Sequence, residues 1–249
     1  MKPSSNRLIK PGERTNSEGK PVRNNILLAL PDNEFRSIRS HLKYFNLPHH
    51  MSLHEPNERI EFAYFPNSGM ISLVVVTAGG RTVEVGIIGN EGMSGGGIAV
   101  GLDRSPIREI VQIAGDGFRL SREALQRALR NAPQLQMMLS RYAILLWMQG
   151  AQTAACNRLH AVEQRLARWL LMTQDRVDSG LLPITHDFLA SMLGTDRPSV
   201  SLAAATMQKK LIIEYKRGAV KVLNRKDLEA LACECYGVIQ QFNGALGIK

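Results

Sequence analysis

"ITHDFLASMLGTDRPSVSLAAATMQKKLII", residues 184–213, sets two short helical patterns on either side of one glycine. Asp187 to Leu193 reads as a helix with Phe188, Leu189 and Leu193 on its inner face. Gly194 suits the left-handed conformation that ends a helix and turns the chain. Thr195 or Asp196 can cap the next helix, and Pro198 fits its first turn, where a missing N–H costs nothing. Val200, Ala203, Ala204 and Met207 then supply a second inner face. Ala190, four residues before Gly194, is small enough for the helices to cross closely at a steep angle. The spacing predicts a helix-turn-helix whose second helix projects outward with a polar N-terminal end. KKLIIEYKRGAVKVLN, residues 209–224, adds two short strands around Lys216-Arg217-Gly218, a basic wing.

Charge and shape point the same way. A net charge of +9 and an isoelectric point near 9.7 favour a polyanionic partner. A helix carrying Arg197, Ser199 and Ser201 suits a major groove, where an arginine can bond a guanine edge with two N–H groups. Lys209, Lys210, Lys216, Arg217 and Lys221 are placed to contact phosphates. Double-stranded DNA is the expected partner. No apolar run approaches the roughly 18–20 residues of a membrane span. The basic N-terminus has no apolar stretch behind it, so neither a membrane nor a secretory signal is expected and the reading is cytoplasmic.

Working outward, the 249 residues suit one large domain or two modest ones. Residues 1–24, rich in Pro, Gly, Ser and Asn, read as a flexible tail. Ile26, Leu27, Leu30, Phe35, Ile38, Leu42 and Phe45 recur at helical spacing across 25–48. From about 50 to 120, strand-length runs such as MISLVVV and RTVEVGIIG alternate with glycine and proline, as in an antiparallel barrel or sandwich. Ser121 opens a helix, and beyond Pro133 lies the longest apolar helical pattern, with Leu135, Met138, Tyr142, Leu145, Gln149, Gln152 and Cys156 on one stripe. Leu139, Ala143, Leu146 and Gly150 fill a neighbouring stripe. That face is too broad for one neighbour, so a second copy of the helix is expected across a two-fold seam. Polar Gln149 and Gln152 are read as weakening this seam near a hinge. The expected organisation is a tail at 1–24, a β-rich domain at 25–132, a dimerisation helix at 133–156 and a winged helix-turn-helix domain at 157–249.

Across residues 25–230 the chain resembles the Crp–Fnr family of bacterial transcription regulators, most specifically in ITHDFLASMLGTDRPSVSLAAATMQKKLI and in NRLHAVEQRLARWLL at 157–171. The resemblance implies an α+β fold: an N-terminal double-stranded β-roll like that of cyclic-nucleotide-binding domains, a long dimerisation helix and a C-terminal winged helix-turn-helix. It implies a homodimer on two-fold symmetric promoter sites and contact with RNA polymerase. The family's first recognition-helix arginine falls on Arg197, its phosphate-contacting hydroxyl on Ser199, and the threonine opening the preceding helix on Thr185. A glutamate that commonly follows the arginine falls on Pro198, and a further arginine on Leu202, so the usual half-site is not implied. In the β-roll the resemblance puts an effector at Ser94, Gly95, Gly96, Arg104 and Ser105, with Arg104 and Ser105 on the phosphate positions. Ser94 stands where nucleotide-binding members have a glutamate, and Pro106 removes an N–H. The expectation is a different, unidentified effector or none, a cyclic nucleotide being doubtful, and no cofactor.

Two other classes of function fit parts of the sequence. A cyclic-nucleotide-binding regulatory protein without DNA binding conflicts with the intact winged helix. A cupin-like enzyme using His49, His50, His54 and Glu55 as metal ligands lacks a further histidine between 55 and 159. No catalytic residues are expected. The three cysteines, Cys156, Cys233 and Cys235, make a poor disulfide framework. Cys-x-Cys alone is a weak metal signal and no histidine lies near it in sequence, so no metal site is expected.

Overall fold

The structure, a computed structural model, describes residues 9–177, 181–216 and 218–245. Two short helices, α1 (Asn25–Ala29) and α2 (Asp32–Arg39), precede seven strands. These are β1 (Lys43–Leu47), β2 (Ser52–His54), β3 (Phe62–Pro66), β4 (Met70–Val76), β5 (Thr82–Ile88), β6 (Ile107–Ile113) and β7 (Gly115–Ser121). They form two antiparallel sheets, ordered β1-β7-β3 and β2-β6-β4-β5. Helices α3 (Arg122–Leu129), α4 (Pro133–Leu159) and α5 (Val162–Gln174) follow. The chain then runs through β8 (Leu181–Leu182), α6 (His186–Leu193), α7 (Arg197–Lys209), β9 (Ile213–Lys216) and β10 (Ala219–Val222), and ends with α8 (Arg225–Leu231) and α9 (Cys235–Ala245). The fold is the α+β arrangement expected: a β-roll, a long helix and a winged helix-turn-helix.

Residues 9–24 are not a free tail. The Arg14 guanidinium is buried and donates to the carbonyls of Leu27 and Leu28 at 2.9 and 3.1 Å, satisfying the C-terminal end of α1. It also pairs with Asp32 and lies over the Phe35 ring. Asn16, fully buried, donates to the Leu42 carbonyl at 3.0 Å. Composition suggested mobility, but these side chains have specific backbone acceptors 13 to 26 residues away. The helical spacing over 25–48 also needs correction, because it merges two helices with a strand. Phe45 belongs to β1, paired with Gly117 of β7.

Helix α4 has 27 residues and is about 40 Å long at 1.5 Å per residue. Leu135, Leu139, Tyr142, Leu145, Gln149, Thr153 and Cys156 form its buried face against this chain. Gln149, expected on a seam between copies, instead faces this chain. It is almost fully buried, and its Oε1 accepts the Ile87 N–H at 2.6 Å, joining α4 to β5. Among the large exposed apolar residues of α4 are Met137, Ile144 and Trp147 on the opposite side, and Leu159 at its end. Helix α4 ends at Leu159, and the joint with α5 falls at His160-Ala161.

The C-terminal unit packs on the four-stranded sheet. Met70, Val74, Ile87 and Ile113 share one buried cluster with Leu166, Trp169, Leu189 and Leu193. Polar contacts between described residues also cross this junction. Glu84 of β5 accepts from Trp169 Nε1 at 2.7 Å and from Ser72 Oγ at 2.5 Å. Glu91 pairs with Arg176 at 2.8 Å, both side chains nearly inaccessible. Burial pushes the Glu84 carboxyl up to about 7, against the two hydrogen bonds that favour its charged form.

Candidate nucleic-acid interface

Local chemistry builds the reading head. Thr185 caps α6, its hydroxyl accepting the Phe188 N–H at 3.2 Å. Gly194 closes α6 in the left-handed region, at φ 58° and ψ 44°, and a Cβ there would sit 3.0 Å from Val83 of β5. Of the two capping candidates the structure uses Asp196, which accepts the Ser199 N–H at 2.7 Å. Pro198 lies in the first turn of α7. Val200, Ala203, Ala204 and Met207 are buried, and α7 crosses α5 and α6 on that face.

The other face of α7 is open. Arg197 is 64% exposed at the helix N-terminus, held loosely by Asp187 at 3.6 Å, an ion pair of little energetic weight in water. Leu202, five residues on, is 72% exposed. It is an apolar residue that sequence reasoning passed over as a mere departure from the family pattern. An exposed leucine on an outward helix suits the methyl group of thymine. Ser199 is half-buried. Ser201 is half-buried too, and its hydroxyl is engaged with His186 Nδ1 at 2.9 Å, so it is less free than expected. His186 packs in turn against the Tyr215 ring of the wing, at 4.0 Å between centroids.

The wing is a three-stranded antiparallel sheet, β8-β10-β9. Lys209, Lys210, Lys216 and Lys221 are exposed. Lys210 reaches Glu163 at 3.4 Å and Lys216 reaches Glu214 at 3.8 Å, both solvated pairs that a phosphate can displace. Arg217 lies outside the described residues.

The residues read as an effector site make different contacts. Ser94 is fully buried and donates to Glu109 of β6, whose carboxylate also accepts the Gly95 N–H at 3.0 Å. Gly95 is left-handed at φ 76°, and a Cβ there would meet the Phe62 carbonyl at 2.6 Å. Arg104, by contrast, is exposed and donates to the Asn57 carbonyl, while the Ser105 hydroxyl accepts the Ile107 N–H at 3.1 Å. Gly96 begins a tight 3-10 turn, Gly96–Val100. The Ser94 hydroxyl and the Gly95 N–H are thus spent on Glu109, while Arg104 is held by the Asn57 carbonyl. Burial raises the Glu109 carboxyl above its ordinary value.

The histidine cluster of the cupin alternative also disperses. His49 and His50 lie on the surface, Glu55 pairs with Arg108 at 2.9 Å, and His54 is buried, where desolvation lowers it to about 4. Cysteine behaves differently. Cys156, Cys233 and Cys235 converge with His160, against the expectation of no metal-binding group, because helix α4 ends where the turn into α9 begins.

Residues 164–231 match the Crp-like helix-turn-helix domain family. No curated protein matches the sequence. Similar solved structures include the c-di-GMP-responsive global regulator CLP of Xanthomonas campestris, 15% identical with a TM-score of 0.64, covering 77% of this chain and 99% of that one. FixK2 of Bradyrhizobium japonicum is 14% identical with a TM-score of 0.63, covering 77% and 98%. A CooA mutant of Carboxydothermus hydrogenoformans is 13% identical with a TM-score of 0.60, covering 91% and 99%. Residues 164–231 thus form a Crp-like helix-turn-helix domain, and the fold of the chain is similar to that of these solved regulators.

Proposed function

We propose that this chain is a sequence-specific transcription regulator that binds two-fold symmetric promoter sites as a homodimer. The observation that carries the reading is the open face of α7. Arg197 and Leu202 point away from the molecule at the end of a capped helix, beside a wing bearing Lys216 and Lys221. Arg197, Leu202 and Ser199 meet base edges and the adjoining backbone. Lys209, Lys210, Lys216 and Arg217 contact phosphates, and Thr185 anchors the start of α6 near the backbone.

Dimerisation is supported by the outer face of α4. Met137, Ile144 and Trp147 recur seven and three residues apart, and Ile144 and Trp147 are 55% and 69% exposed. Seams between parallel helices use this 3–4 spacing, and two reading heads need a fixed separation of about 34 Å. The second reading, a nucleotide-binding regulator, gains nothing from the geometry, since Glu109 occupies the Gly95 N–H and the Asn57 carbonyl engages Arg104. An effector of other chemistry, and a contact with RNA polymerase, remain part of the proposal by family analogy.

Selection of duplexes from a random pool by the full chain tests the reading. A two-fold symmetric consensus is expected, together with a dimer in sedimentation that Trp147→Asp dissociates. Absence of any enriched sequence at low salt sinks the proposal.

A further inference from the structure

We infer that Cys156, His160, Cys233 and Cys235 form a tetrahedral site for one zinc-class divalent ion at the joint between α4 and α5. The site is separate from DNA recognition and stands whether or not that reading holds.

The spacing is the first support. The four ligand atoms all lie within 4.8 Å of one another. Cys156 Sγ and Cys233 Sγ are 3.5 Å apart, and Cys235 Sγ lies 3.6 Å from His160 Nδ1. A tetrahedral ion with bonds of about 2.3 Å to sulfur and 2.0 Å to nitrogen sets its ligands about 3.8 Å (S···S) and 3.5 Å (S···N) apart. A polynuclear iron–sulfur cluster interposes several atoms between its thiolates and needs a wider ring.

The second support is the far side of His160. Its Nε2 lies 3.1 Å from Glu234 Oε1. When Nε2 carries the proton it donates to that carboxylate, leaving the Nδ1 lone pair facing the sulfurs. Metal-bound histidines are commonly held in this way, by a carboxylate that fixes ring and tautomer. Gln152 Nε2, 3.0 Å from Cys235 Sγ, supplies an N–H to a thiolate.

Charge is the third. Three thiolates, a neutral imidazole and one divalent ion sum to −1. Arg165 and Arg168 are buried in this region, with Arg165 Nε and Nη2 and Arg168 Nε having no hydrogen-bond partner among the described residues. Cys156 and Cys233 lie within electrostatic reach of Arg165. A net anionic centre gives these guanidiniums a counter-charge.

The ligands come from two places in the fold. Cys156 sits in the last turn of α4 and His160 caps it, while Cys233 precedes α9 and Cys235 opens it. One ion therefore staples the C-terminal helices to the joint that orients the reading head.

The test uses the full chain, purified anaerobically with reductant, stripped of metal and titrated with Zn2+ and then Co2+. One equivalent per chain is expected, with a rise in melting temperature and the intense thiolate-to-cobalt absorption and d–d bands of a tetrahedral site. Cys233→Ser with Cys235→Ser is expected to abolish uptake, and Glu234→Gln to weaken it by about 10–100-fold. Circular dichroism checks that each variant folds, and the wild-type cobalt spectrum decides the matter should the serine variant fail. No uptake by a chain with three free thiols overturns the inference. So does uptake undiminished in the folded serine variant, or a bound cluster containing iron and sulfide.

Discussion

Gly95 and Gly194 are both left-handed, both follow or precede a serine-bearing turn, and both have an arginine within ten residues, yet their surroundings differ completely. At Gly194 the chain turns outward and frees Arg197. At Gly95 it turns inward, and its N–H is taken by Glu109, a residue 14 positions away on another strand. The first turn presents a site and the second closes one. The difference teaches that a motif is a site only when the rest of the fold leaves its donors unspent.

Glu109→Ala breaks the closed side of this comparison and has the largest expected effect. It strands the Ser94 hydroxyl and the Gly95 N–H without an acceptor and empties the space around them. Loss of about 2–4 kcal/mol of stability is expected, read from the urea midpoint. A loss under about 0.5 kcal/mol would mean that the loop is not held by Glu109 and that its donors are available to a ligand.

The junction between the two regions offers the next test. Glu84, raised to about 7 from 4.5, is more readily protonated when buried against Trp169 than when released to water. Between those values the docked state holds a proton that the released state has lost. Docking is therefore strongest at low pH, weakens as pH rises from about 5 towards 7, and levels off above it. Thermal stability measured from pH 5.5 to 8 should fall across this window, and Glu84→Gln should flatten that component. A wild-type profile no steeper than the variant's would exclude Glu84 as its source.

What was legible follows the same division. The turn of the helix-turn-helix rests on contacts within five residues: Thr185 to Phe188, Asp196 to Ser199, and Ala190 to Thr195. Caps and helical periodicity are local, so residues 184–213 could be read in order. The filled β-roll depends on Glu109, the docked N-terminus on Arg14, and the inner face of α4 on the Gln149 bond to Ile87, across 62 positions. Periodicity marked Gln149 as facing something but could not say what. The cysteine cluster is the extreme case. Cys156 and Cys233 are 77 residues apart, and His160 joins them only because α4 stops there.

Arg197→Ala sharpens the open side. Its partner in the free protein is an exposed ion pair with Asp187, so folding stability should change by less than about 0.5 kcal/mol. Affinity for the selected duplex should fall by about 1–3 kcal/mol, with preference relaxed at one base position of each half-site. Fluorescence anisotropy on the consensus and on single-base variants measures both. Equal losses on every duplex would move Arg197 from a base edge to the backbone.

Lys216→Ala is the smallest effect and the counterpart of Arg197→Ala. Lys216 is 77% exposed, and its nearest partner, Glu214 at 3.8 Å, sits on the same strand and is easily displaced. If it meets a phosphate, its loss weakens specific and non-specific duplexes alike and leaves base preference untouched. Each contact removed takes about 0.9 from the slope of log K against log salt, so a symmetric dimer should lose about 2. Affinity measured between 50 and 300 mM salt (roughly the range over which counterion release dominates) separates the two variants. A change in preference with an unchanged slope would place the wing's lysine at a base edge, and Arg197 alone would no longer define the reading face.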